Sequence, residues 1–268
     1  MQSNLAQRLV SAAVLIPALL LVLFRAPPWI FVLVICSVGV LAAWELMAIV
    51  FEGHRWLAFC GAVATVIALL QMRYVQDAAV TSAVLMLLVM LQAIVGMIAF
   101  GKQPENFTRV VWLQMPPLYL GLPLATLALL HSQDQGAQWV VLALTLAFVG
   151  DTGAYFVGSM WGKRKLAVHI SPNKTLEGAL GGLAGSVLAG LVAHVWYLPD
   201  LPLTHAIVLG VVGGAAGQAG DLFESLIKRG FLVKDSGQLI PGHGGILDRI
   251  DAVIFTSAVT WLYVGWVR

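Results

Sequence analysis

Long apolar runs separated by short polar breaks organise this chain. The runs fall at about 9–24, 29–50, 56–71, 78–100, 110–130, 138–158, 177–197, 205–222 and 250–267. An α-helix rises 1.5 Å per residue, so about 20 apolar residues cross the ~30 Å hydrocarbon core of a bilayer. Each run is long enough, or nearly so. The pattern predicts an all-α polytopic integral membrane protein with about nine transmembrane helices. The third run is the shortest. The fifth contains Pro116, Pro117 and Pro123, which predict a kinked or broken helix. No soluble domain, repeat or low-complexity tract interrupts the series. The reading is of one membrane domain, with N-terminal helices over 1–136 and C-terminal helices carrying the polar residues over 137–268.

Composition agrees. Of 268 residues, 60% are hydrophobic and 10% charged, whereas a soluble domain carries roughly a quarter charged residues. So little charge cannot cover a surface in water, and lipid removes that need. The net charge of +2 gives no reason to expect nucleic acid. Cys36 and Cys60 both lie in apolar segments, where a cysteine behaves as small hydrophobic filler. Arg8 precedes the first run as in a signal peptide. No small-residue cleavage site precedes Arg25, so a retained first span is expected.

Basic residues test the count. With a cytosolic N-terminus and nine alternating spans, all the Lys and Arg residues except Arg25, Arg73 and Arg268 fall inside. That asymmetry follows the positive-inside rule, and deleting the weak third span would reverse the later loops. The two richest loops, 159–176 and 223–249, are then cytosolic, where nucleotides are.

Three regions hold polar residues that lipid does not explain. Asp151 sits inside the apolar run Val149-Gly150-Asp151-Thr152-Gly153-Ala154-Tyr155. An ionisable group there must be paired, hydrated or neutral; a structural hydrogen bond to a neighbouring helix is the plainer alternative to a functional role. The second region is Lys163-Arg164-Lys165 followed by Ser171-Pro172-Asn173-Lys174-Thr175-Leu176-Glu177-Gly178. Ser171 is expected to cap a helix with Pro172 at its first position. That places Lys174 at a helix N-terminus, which already favours anions. Residues 163–165 serve equally well as a topogenic or anionic-lipid patch.

The third region runs from Gly210 to Asp251. Gly213, Gly217 and Asp221 share one helix face, and Glu177, Gly181, Gly185 and Ala189 share another. Small-residue faces let backbones approach closely. The expectation is a tight pair formed by the seventh and eighth helices, each face ending in a carboxylate. Glu224, Lys228, Arg229, Lys234 and Asp235 follow, then Pro241-Gly242-His243-Gly244-Gly245-Ile246-Leu247-Asp248-Arg249-Ile250-Asp251. Glycines there let backbone N–H groups approach a ligand, and Asp248 and Asp251 share a face where the last span begins. There is no Cys/His set spaced for zinc. Oxygen donors favour Mg²⁺ or a similar hard cation. With the Lys and Arg residues, they suggest phosphate chemistry in which the substrate supplies its own nucleophilic oxygen.

From Ser225-Leu226-Ile227-Lys228-Arg229 through Lys234-Asp235, Pro241, His243-Gly244-Gly245, Asp248-Arg249 and Asp251, the chain resembles the C-terminal motif of the phosphatidate cytidylyltransferases, the CDP-diacylglycerol synthases, of bacterial type. Gly150–Tyr155 and Ser171–Glu177 look like that family too. The N-terminal half resembles it only as hydrophobic spans. The resemblance implies that a phosphatidate phosphate attacks the α-phosphorus of CTP, that diphosphate leaves, and that CDP-diacylglycerol forms at an inner membrane. It implies a homodimer among membrane lipids, and Mg²⁺ held by Asp221 and Asp248 with Asp251 or Asp151 in support; whether a second cation joins it is left open. Lys174, Lys228, Arg229 and Arg249 are assigned to the phosphates of CTP or lipid. Lys234 and His243 are expected to line the phosphate site, with Asn173, Gly244 and Gly245 contacting substrate. Asp221, Asp248, Lys228, Arg249 and His243 are the candidate catalytic set. Two other readings use the same parts: a CTP-dependent lipid kinase that passes on the γ-phosphate, and a cation transporter with buried Asp residues. The clustering of charge at helix ends disfavours the transporter.

Overall fold

In a computed structural model the chain is described over residues 2–102, 107–237 and 244–267. Its helices are α1 (Gln2–Arg25), α2 (Pro28–Val50), α3 (Arg55–Tyr74), α4 (Ala78–Phe100), α5 (Phe107–Trp112), α6 (Leu122–His131), α7 (Gly136–Trp161), α8 (Leu176–Val192), α9 (Leu203–Gly230) and α10 (Leu247–Trp266). A short antiparallel hairpin, β1 (Lys165–Ala167) and β2 (Ser171–Thr175), pairs Lys165 with Thr175 and Ala167 with Ser171. The protein is all-α and polytopic. Among the described residues seven helices are long and apolar enough to cross a membrane, counting Phe107–His131 and Leu176–Tyr197 as single spans. Helix α1 contributes a shorter apolar stretch, Ala13–Arg25, and α10 falls outside the seven.

Local chemistry accounts for the breaks. The fifth run is divided as its prolines demand: α5 stops at Trp112 and a π-helical turn spans Pro116–Gly121 before α6 begins. The weak third run is a full helix, α3, of 20 residues. Asp77 caps α4, its Oδ1 accepting from the N–H groups of Ala79 and Val80 at 2.8 and 3.0 Å.

Three expectations are corrected. The eighth span does not end near 222; α9 continues to Gly230. No helix breaker intervenes, and Glu224 and Lys228 form an i,i+4 ion pair of 2.6 Å along the extra turns. Ser171 is not a helix cap. It and Pro172 lie in strand β2, and the cap of α8 is Thr175, whose Oγ1 accepts from the Gly178 N–H at 3.1 Å. Hairpin pairing holds 171–175 extended, so the helix cannot begin until the last hairpin residue. Lys174 therefore precedes the cap by one position.

The glycine faces also do not pack on each other. Gly181 and Gly185 of α8 abut α7: a Cβ on Gly181 would strike Val157, and one on Gly185 would lie 2.6 Å from the Val149 carbonyl oxygen. Gly213 faces Leu146 of α7, and Gly217 faces Thr256 and Ala252 of α10. Helices α8 and α9 do form the expected tight pair, but through another face, where Gly210 meets the Val187 backbone and Gly214 meets Ser186.

The chain forms two compact units, residues 1–128 with 235–247, and residues 129–234 with 248–268. In the first, α2 and α3 pack around Phe31, Leu46, Met47, Leu57 and Leu69, all essentially buried. Gly61 lets α3 approach Met47 and Pro116. In the second, α7, α8, α9 and α10 pack closely, and hydroxyls tie helix to helix. Ser186 Oγ donates to the Leu146 carbonyl at 2.8 Å, and Thr256 Oγ1 to the Ala143 carbonyl at 2.9 Å.

Candidate active site

The second unit holds a cavity of about 570 Å³. About two turns of α7 supply Asp151, Ala154, Tyr155 and Gly158; the hairpin supplies Leu166, Asn173 and Lys174; α8 supplies Gly178 and Ala179; α9 supplies Gln218, Asp221 and Leu222. The wall is built by close packing. A Cβ on Gly178 would come within 3.1 Å of Gly158 Cα, and Gln218 Nε2 donates to the Ala179 carbonyl at 3.0 Å. Polar groups and aliphatic side chains thus face one space, which suits a ligand with a charged head and an apolar body.

Charge converges on Asp221. Lys174 Nζ lies 2.6 Å from its Oδ2, and both side chains keep about a quarter of their surface exposed. Asp151 on α7 and Asp251 on α10 interact electrostatically with Asp221 and with each other, and Lys174 and Arg249 act on Asp151 with the opposite sign. Asp251 Oδ1 accepts from the Ala252 N–H at 2.7 Å. Three carboxylates on three helices therefore share one electrostatic neighbourhood. Their oxygen donors suit a hard divalent cation in chemistry. As they stand, no three Asp, Glu, His or Cys side chains among the described residues are gathered closely enough to form a ready-made set.

A second cluster lies further along α9. Lys228 Nζ is 2.6 Å from Glu224 Oε2 and 2.7 Å from Asp248 Oδ1. It is more enclosed: Glu224 is 1% exposed, Lys228 14% and Asp248 13%. Lys228 also acts electrostatically on Asp251, which links the two clusters. Asp221 and Asp248, read from the sequence as one metal-holding pair, thus have different immediate cationic partners.

The remaining candidates are distributed. Arg229 lies beyond the cavity lining, with Nε donating to the Ile170 carbonyl at 3.3 Å and Nη1 to the Val233 carbonyl at 3.4 Å. Those bonds hold the hairpin turn and the end of α9. Lys234 is exposed. Gly244, at φ +82°, and buried Gly245 belong to the first unit. His243 lies outside the described residues. Glu177, the carboxylate that ends the small-residue face of α8, accepts from the N–H groups of Lys163 and Arg164 at 3.0 and 3.1 Å and from Arg164 Nε at 3.1 Å. It anchors the turn into the hairpin.

Sequence reading gave Glu224 no role, and it missed Gln218. The i,i+4 spacing of Glu224 and Lys228 was the available signal for the first. Nothing in the residue order marks Gln218 as part of a cavity wall.

The sequence profile of the cytidylyltransferase family matches residues 6–267. The chain belongs to that family. Named relatives include the phosphatidate cytidylyltransferases of Staphylococcus saprophyticus, 38% identical over 155 residues covering 58% of this chain and 59% of the relative, and of Bacillus subtilis, 40% identical over 156 residues covering 58% of each. That of Staphylococcus aureus is 40% identical over 157 residues, again 58% of this chain and 59% of the relative. The matched part thus spans just under three-fifths of these relatives' length.

Proposed function

We propose that this member of the cytidylyltransferase family transfers CMP from CTP to phosphatidate, giving CDP-diacylglycerol and diphosphate. The observation that carries the reading is the shared cavity of Asn173, Lys174, Asp151 and Asp221. Asp151, Asn173 and Lys174 come from sequence segments that resemble phosphatidate cytidylyltransferases, and the relatives bear that name. In this reaction a phosphate oxygen of phosphatidate bonds to the α-phosphorus of CTP. The bond from that phosphorus to the bridging oxygen breaks, and diphosphate leaves with the electron pair. The attacking oxygen is already anionic, so positioning and charge neutralisation suffice without a protein nucleophile. Lys174 and Asn173 hold phosphate oxygens at the cavity, and Lys228 and Arg249 stabilise the leaving diphosphate. Leu166, Ala154, Tyr155 and Leu222 receive the apolar part of the lipid. Mg²⁺, when bound, would neutralise triphosphate charge; Asp221, with Asp151 and Asp251 beside it, would supply oxygen donors by drawing together, and Asp248 would join them only by giving up Lys228. The enzyme works as a homodimer in the inner membrane, with nine spans, a cytosolic N-terminus and a site open to the cytosol.

CTP labelled at the α-phosphorus separates this reading from lipid phosphorylation. The purified protein with phosphatidate and Mg²⁺ should put α-label into lipid and γ-label only into diphosphate; chelation should stop both. Label from the γ-position in lipid, with CDP released, would establish the kinase instead. Orientation is tested with Val168→Cys and Leu232→Cys, both at exposed positions, in a background lacking Cys36 and Cys60. Both should resist an impermeant thiol reagent in intact cells and react after permeabilisation.

A further inference from the structure

Glu45 sits in the apolar stretch Ala42-Ala43-Trp44-Glu45-Leu46-Met47 of α2 and is 6% exposed. A carboxylate there must be compensated. None of the ion pairs among the described residues includes it. Its compensation comes from about 200 residues downstream, within the same compact unit. Ser236 Oγ donates to Oε2 at 3.2 Å, the Ile246 N–H to Oε1 at 3.1 Å, and the Leu247 N–H to Oε2 at 2.9 Å. The backbone wraps the carboxylate closely: a Cβ on either Gly237 or Gly245 would run into it.

Leu247 is the first residue of α10, and Asp248 lies in its first turn. The opening N–H groups of a helix lack partners within it and favour negative charge. Glu45 supplies that charge from another helix, while Ser236 ties the same carboxylate to the chain entering the segment. We infer that Glu45 is a positioning residue for cytidylyl transfer: it pins the backbone at Ser236 and at Ile246–Leu247, and so sets where α10 starts and how Asp248 and Asp251 are presented. The catalytic half of this inference rests on the function proposed above; the clamp itself does not.

Glu45→Gln keeps the shape but turns an amide N–H toward backbone donors. In the full chain, hydrogen exchange of the amides at 235–237 and 244–247 should accelerate, with exchange over α7–α9 unchanged. With kcat measured at saturating CTP and phosphatidate, a displacement near 1 Å should cost about 10- to 100-fold, while the KM for CTP stays within about threefold, as expected when transition-state rather than uniform binding is lost. Ser236→Ala, which leaves both backbone bonds to Glu45 in place, should lower kcat less. Unchanged exchange at 235–237 and 244–247, or accelerated exchange with wild-type kcat, would overturn the inference. Should Glu45→Gln not yield folded protein, Gly237→Ala, which crowds the carboxylate without removing it, carries the same expectations. If the wild-type protein shows no cytidylyl transfer, the catalytic half falls with that reading, and the exchange measurement still decides the clamp.

Discussion

Two ion-paired clusters in the second unit use the same chemistry in different surroundings. Around Asp221, the ammonium of Lys174 and its partner carboxylate are each 26–29% exposed and line a cavity. Around Lys228, one ammonium lies between Glu224 and Asp248 with exposures from 1 to 14%. Burial changes what a charge does. An enclosed ion triad has its geometry set by its own members, and removing one leaves the others uncompensated. A half-open pair facing a cavity can exchange its partner for a ligand at little cost. Glu45 in the first unit is a third case, an acid engaged by two backbone N–H groups and a hydroxyl.

The largest effect should come from Asp221→Asn. Removing the charge at the cavity should lower kcat by about 10²–10³-fold, the scale of losing one electrostatic contributor in a transition state. Thermal unfolding should stay near the wild-type value, because the pair is half open. Wild-type turnover across a range of Mg²⁺ would show that Asp221 does not serve the reaction. Lys228→Met should behave oppositely in stability. It leaves Glu224 and Asp248 without their shared cation, and breaking a buried pair in this way costs about 3–5 kcal/mol. A marked drop in the denaturation midpoint checks it; an unchanged midpoint would mean the triad is no more structural than the Asp221 pair.

Smaller changes sharpen the contrast. Thr175→Ala removes the cap of α8 and should cost about 1 kcal/mol, seen as a modest shift in unfolding with the KM for CTP raised through neighbouring Lys174. Asp200→Asn serves as the control. Its Oδ2 accepts from Gln135 Nε2 at 2.9 Å in an exposed loop, so kcat and unfolding should both stay at wild-type values. A clear loss would mean that the loop holding Asp200 bears on the site.

The correct and incorrect expectations divide along physical lines. Apolar periodicity and proline placement located the helices because each depends on neighbours in sequence. The proline-broken fifth run and the complete third helix are examples. The helix cap was misplaced because a hairpin, stabilised by pairing Lys165 with Thr175, overrode the local preference of Ser171 and Pro172. Small-residue faces were legible, but their partners were not: Gly181 could meet any helix, and packing selected α7.

By itself, the order of residues determined that this chain belongs in lipid, where its helices run, and which polar segments resemble those of the cytidylyltransferases. These follow from hydrophobicity, backbone geometry and motif spacing, all local properties. Tertiary structure alone decided which acid faces which cation. It joined Lys174 to Asp221 across 47 positions, put Lys228 between Glu224 and Asp248, and bound Glu45 to a segment some 200 residues away. The physical reason is that a buried or half-buried charge is stabilised by whatever donors the packed helices bring within about 3 Å, and no interval along the chain encodes that distance.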